Sequence, residues 1–193
     1  MASKLPDPYL IADHKGLEIV NTIGAPYGEE LDWIFNGQEL LAWMQAVELL
    51  TAAECESLQK RLTIEELDAA AQSLRELRAE VQENVPDASP AFLERLNQML
   101  TQGRGHYEIT TTKDGVRTMR FQPLLETAED LVVRVAVEVA EMFCLNAPDR
   151  IRKCANPSCT YWFHDTTRNN RRRWCSMAVC GNRAKVAAHR ARQ

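Results

Sequence analysis

Four cysteines near the C-terminal end constrain this chain more than any other feature. Cys154 and Cys159 stand as C-x4-C, 15 residues follow, and Cys175 and Cys180 repeat the C-x4-C spacing. Two short-range pairs joined by a loop can bring four thiolates to one point without a large core, which is what a tetrahedral Zn2+ site requires. Asn156-Pro157 inside the first pair are turn formers suited to a knuckle, and Ser176 can cap the start of a helix carrying Cys180. A thiol redox switch and inert buried thiols are the competing readings of the same four residues. His164 and His189 could each replace a thiolate, but with four cysteines present they are expected as a core or loop residue and a basic-face residue. Cys55 and Cys144 fall in predicted helices and are expected in the core, where free cysteine behaves as a small hydrophobe.

Charge divides the chain at nearly the same place. Residues 1–149 hold 12 Lys and Arg against 26 Asp and Glu, a net of −14, while residues 150–193 hold 11 against 1, a net of +10. A basic segment gains affinity for a polyanion by releasing its counterions, and an acidic body is repelled by it. Arg168, Arg171, Arg172 and Arg173 lie between the cysteine pairs; Asn182, Arg183, Lys185, Arg190 and Arg192 follow the last cysteine. Arginine can clamp phosphate or the guanine edge bidentately, and asparagine does the equivalent for adenine. Alanines at 184, 187, 188 and 191 keep that last helix slim enough to enter a groove. Double-stranded DNA is therefore the expected partner. Trp162, Phe163 and Trp174 are expected to pack around the metal knuckle. The alternative is a zinc-stabilised protein-interaction module whose arginines offset thiolate charge, dock on the acidic body or bind an acidic partner.

Ahead of the cysteines the pattern is mostly helical. Leu40, Leu41, Met44, Val47 and Leu50 fit one helical face from Gly37; Thr51 with Glu54 and Thr63 with Glu66 are capping boxes opening two further helices, the second running to about Glu83 with Leu67, Leu74, Leu77 and Val81 buried. Ser89-Pro90 opens another, to about Thr101. Residues 106–112 and 116–121 alternate around Asp114-Gly115, a hairpin turn, and an apolar helix runs from after Pro123 to about Leu145 as the expected central core helix. The first 35 residues read as a strand or helix edge and a loop punctuated by Gly24, Pro26 and Gly28. The fold class is thus mainly α (α+β): a helical domain with a β-hairpin over residues 1–147, then a small treble-clef-like or knuckle-plus-helix zinc finger over residues 148–193, divided at Asn146-Ala147-Pro148.

For catalysis the body offers Asp13, His14, Asn21, Thr22, Asp32 and His106, none in a nucleophile elbow, phosphate loop or metal-binding helix motif, so no enzyme is expected. Asn21-Thr22 can cap a helix or, with Asp32, line a ligand pocket. The N-terminus lacks a basic start followed by an apolar run, and no stretch approaches 18 apolar residues; the expectation is a cytoplasmic protein with no membrane partner.

The tetrad Cys180-Gly181-Asn182-Arg183, with Arg172-Arg173-Trp174-Cys175-Ser176-Met177 before it, Ala184-Lys185 after it and the earlier Cys154 and Cys159, resembles the CGNR zinc finger family. Val20-Asn21-Thr22 and Glu30-Leu31-Asp32 through Trp43 resemble the ABATE domain that precedes this finger. The resemblance implies zinc at the four cysteines, DNA binding and a role among bacterial stress-induced transcription regulators. For the body it implies sensing of a small-molecule effector or homodimerisation, with no catalytic residues.

Overall fold

The computed structural model describes residues 5–25, 28–145 and 147–190, so Pro26, Asn146 and Arg192 lie outside the described residues. Helix starts follow side-chain caps. His14 accepts from the Gly16 amide and opens a single turn, α1 (Lys15–Glu18). A 3-10 turn over Val20–Thr22 leads into β1 (Ile23–Gly24), which pairs antiparallel with β2 (Leu31–Asp32). Asn36 caps α2 (Gly37–Ala46), and the two capping boxes open α3 (Ala52–Arg61) and α4 (Ile64–Asn84). Ser89 caps α5 (Pro90–Leu100), where Pro90 sits in a first turn that needs no donor from it.

The hairpin forms as β3 (Gly105–Thr111) and β4 (Arg117–Pro123), in antiparallel register with Tyr107 opposite Phe121 and Ile109 opposite Met119. The apolar helix is α6 (Ala128–Phe143), shorter at its start than the apolar run alone implies. Thr127 and Asp130 form a third capping box, and Asp130 also accepts from the Glu126 amide, which holds the residues ahead of it out of the helix. In the C-terminal segment β5 (Ile151–Lys153) pairs with β6 (Trp162–His164), and α7 (Asn182–Arg190) closes the described chain.

The core lies between α2, α4 and α6. Leu67, Leu74, Leu77 and Val81 of α4 face Leu131, Val135, Ala136 and Val139 of α6, all buried; each such side chain contributes about 1.5–3 kcal/mol by leaving water. The α1 turn rests directly on α6, since a Cβ on Gly16 would lie 2.0 Å from the Glu138 carbonyl oxygen. Any side chain there would force the two elements apart.

Two expectations differ. The stripe Leu40 to Leu50 is not one helix face: α2 stops at Ala46, Glu48 takes φ 58°, and the Leu49 and Leu50 amides donate back to the Met44 carbonyl. Leu49 and Leu50 are buried by this reversal, not by helical periodicity. Cys55 is in the core, but Cys144 is exposed, because it caps the end of α6 and its amide is turned back to the carbonyls of that last turn. Asn21 pairs with the Trp162 backbone, and Thr22 and Asp32 share one buried partner. Arg78, itself buried, donates to both Asp32 carboxylate oxygens at 2.8 Å and to Thr22 Oγ1 at 2.9 Å, and Thr22 Oγ1 donates to the Ile19 carbonyl. These polar groups satisfy one another.

Candidate metal centre and nucleic-acid interface

The cysteines are brought together by two small elements. Cys154 follows β5, and its amide donates to the Tyr161 carbonyl, extending the β5–β6 ladder by one step. Between the first two cysteines the chain turns sharply: the Cys159 amide donates to the Asn156 carbonyl, and Asn156 Oδ1 accepts from both the amide and the hydroxyl of Ser158. Ser176 caps a wide turn over Met177–Gly181 that carries Cys180 and runs into α7.

The four sulfurs lie within 4.8 Å of one another. Cys175 Sγ is 3.7 Å from Cys159 Sγ and 3.6 Å from Cys180 Sγ. Zinc–sulfur bonds of about 2.3 Å at tetrahedral angles place sulfurs about 3.8 Å apart, so the quartet fits a tetrahedral thiophilic cation. Donors already point at the sulfurs: the Cys175 amide at Cys154 Sγ, 3.4 Å, and Asn156 Nδ2 at Cys180 Sγ, 3.5 Å. Such donors offset thiolate charge and orient the ligands.

The thiols do not titrate alike. Cys159 is drawn down to about 5, first by the hydrogen bond from the Cys175 thiol, with burial opposing. That same bond, then burial, pushes Cys175 up, and burial foremost raises Cys154. Among themselves the sulfurs hold protons that a divalent cation must displace.

Apolar cover comes partly from unexpected places. Phe163 and Tyr161 pack on the cysteines with Trp174, as do Tyr9 and Ile11 from the N-terminal segment, Tyr9 stacked on Tyr161 at 6.2 Å. Trp162 instead packs against the body core, since its neighbours in β6 alternate faces. His164 faces His14 at 6.4 Å, His189 is on the exposed face of α7, and neither joins the sulfur quartet.

A model described as "Putative stress-induced transcription regulator", the ABATE domain, matches residues 13–145. The chain belongs to the ABATE family. In this ABATE protein residues 150–193 match the CGNR zinc finger, and the sulfur quartet lies inside that match. No curated protein matches the chain. Both matched families are regulatory or zinc-binding in type. No helix among the described residues is long and apolar enough to cross a membrane.

The arginines of the ABATE protein divide into two kinds. Arg168, Arg171 and Arg173 are exposed and border a groove of about 630 Å³ floored by Trp174, Met177 and Ile11. Arg183, Lys185 and Arg190 are exposed on α7, as is Asn182, whose Nδ2 donates to the Ala178 carbonyl at the helix start. Arg172 is different. It stacks on Phe163 at 4.3 Å, pairs with Asp13, and donates to the carbonyls of Ile11, Trp174 and Cys175. Its donors are engaged inside the protein, while its side chain borders the same groove.

Asp165 is the functional residue that the sequence reading missed. Fully buried, it accepts from the Thr167 amide and hydroxyl and from the Arg172 amide, and so shapes the loop that carries Arg168, Arg171 and Arg173. Burial alone would raise its carboxyl, but these bonds and the charge of Arg152 hold it below the ordinary value. The available clue was a single acid in a segment of net +10, two residues before a threonine. Of the catalytic candidates, Asp13 is held by Arg172, His14 caps α1, and His106 is exposed on β3.

Proposed function

We propose that the protein is a zinc-dependent DNA-binding regulator. Cys154, Cys159, Cys175 and Cys180 are its Zn2+ ligands, the closed four-sulfur set leaves the ion a structural role, and double-stranded DNA is its partner. The observation that carries this reading is the position of Cys175 and Cys180. The first follows the arginine loop directly and the second precedes α7 directly, so one cation holds both basic elements side by side. Arg168, Arg171, Arg173, Arg183, Lys185 and Arg190 then grip phosphates, while Asn182 at the start of α7 reads base edges in the major groove.

Fluorescence anisotropy of the zinc-loaded protein on duplex DNA, titrated with salt, tests this. Six phosphate contacts give a slope of log Kobs against log salt of about −5. Absent or salt-insensitive binding by the zinc-loaded protein would overturn the reading.

A further inference from the structure

The β3–β4 arm leaves its apolar face in water. In register, the odd-numbered residues of both strands share one face, where the Tyr107–Phe121 pair, with rings 5.5 Å apart, lies beside the Ile109–Met119 pair. Tyr107, Ile109 and Met119 are 68–70% exposed and Phe121 48%, and Val116 near the tip is 58% exposed. A two-stranded ribbon is marginal in water unless its apolar face is covered, and soluble chains seldom leave so large a contiguous patch bare. At the base of the arm the patch meets a groove of about 530 Å³ where Phe121, Leu124, Val133 and Val137 are interleaved with charged residues, among them Arg104 and Glu141.

We infer that this face is the contact between two copies of the chain, related by a two-fold axis with the arms antiparallel. The aromatic pair of one copy lies over the aliphatic pair of the other, and the tip of each arm reaches the groove over the partner's helix. Three properties of the arm select a second copy as the occupant. The patch is its own complement, because an aromatic and an aliphatic pair stacked antiparallel meet each other twice, as an isologous contact requires. Its charge is nearly balanced: Lys113, Arg117 and Arg120 stand against Glu108 and Asp114, so two arms do not repel as two acidic bodies would. The area also suffices, since four side chains this exposed offer on the order of 500 Å² per copy, and the groove over α6 adds the remainder of the about 800 Å² per partner found in stable complexes. Neither metal nor DNA takes part in this contact, so its failure and that of the DNA reading are separable.

Sedimentation velocity of the zinc-loaded full chain without DNA decides it. The wild-type chain is expected as a species of twice 21.9 kDa. Ile109→Thr with Met119→Thr, which keeps strand propensity, is expected to raise the dissociation constant at least tenfold, with zinc content and circular dichroism unchanged. Should that variant misfold, Tyr107→Thr on the same face must weaken the pair in its place. A wild-type chain that sediments as one copy, or a pair that survives Tyr107→Thr, overturns the inference. A single-copy wild type whose duplex affinity drops on Ile109→Thr would instead assign the arm to DNA.

Discussion

Asn21 and Trp162, 141 positions apart, hold each other by two hydrogen bonds: Asn21 Nδ2 donates to the Trp162 carbonyl at 2.9 Å, and the Trp162 amide donates to Asn21 Oδ1 at 2.9 Å. A side-chain amide here does for β6 what a neighbouring strand would do, and it ties the finger to the body. Asn21→Ala leaves both backbone groups of Trp162 without a partner and costs about 2 kcal/mol. Urea unfolding should show the loss, and amide exchange at Trp162 should quicken relative to α6. Equal exchange in both proteins would mean that this pair does not hold the joint.

Metal removal should act on one part only. The finger's apolar cluster is small and built on the cysteines, whereas the body has its own core from Leu17 through Met142. Chelation, or Cys175→Ser at the sulfur between Cys159 and Cys180, should lower zinc stoichiometry and free the amides of residues 151–190 to exchange, with α4 and α6 still protected. Full zinc retention by Cys175→Ser would refute the ligand assignment.

Neighbouring arginines should fail in different ways. Arg172→Ala removes the stack on Phe163 and strips a donor from three carbonyls, a loss of about 3 kcal/mol. Arg171→Ala, exposed, should change stability by less than about 0.5 kcal/mol while lowering the salt slope of DNA binding by about 1. Paired thermal melts and salt titrations separate the two, and a destabilised Arg171→Ala would contradict the division.

Glu18 should make stability depend on pH. Burial raises its carboxyl from 4.5 to about 7, against the hydrogen bonds from the Ala12 amide and Asn21. Between those values the folded protein binds more protons than the unfolded chain, so stability is greatest at low pH and falls as pH rises through 7. Glu18→Gln removes that slope. Relative to wild type it should gain on the order of 3 kcal/mol between pH 5 and pH 8, read from urea curves of both zinc-loaded proteins. Subtracting one from the other cancels the thiols, which they share. Parallel curves would show that Glu18 ionises normally.

What could be read without coordinates has one property in common: the interacting residues are close along the chain. Thr51 with Glu54, Thr63 with Glu66, the Asp114-Gly115 turn and the two C-x4-C pairs each close over a few positions, where local geometry leaves few alternatives. The Thr127–Asp130 box was equally local and was missed because the apolar run around it dominated the reading. The Leu49–Leu50 reversal was missed because helical spacing and a left-handed turn at Glu48 bury the same residues.

Residues close along the chain fix that four thiols meet, that charge divides into an acidic body and a basic end, and where most helices begin. Only the tertiary structure decided which polar groups remain available. Arg171 and Arg172 are chemically identical neighbours, yet one meets solvent and the other meets Asp13, 159 positions away. Asn21, Thr22 and Asp32 find their partners in Trp162 and Arg78, both remote in sequence. A guanidinium or an amide takes its role from the acceptors packed against it, and chain segments remote in sequence supply those acceptors.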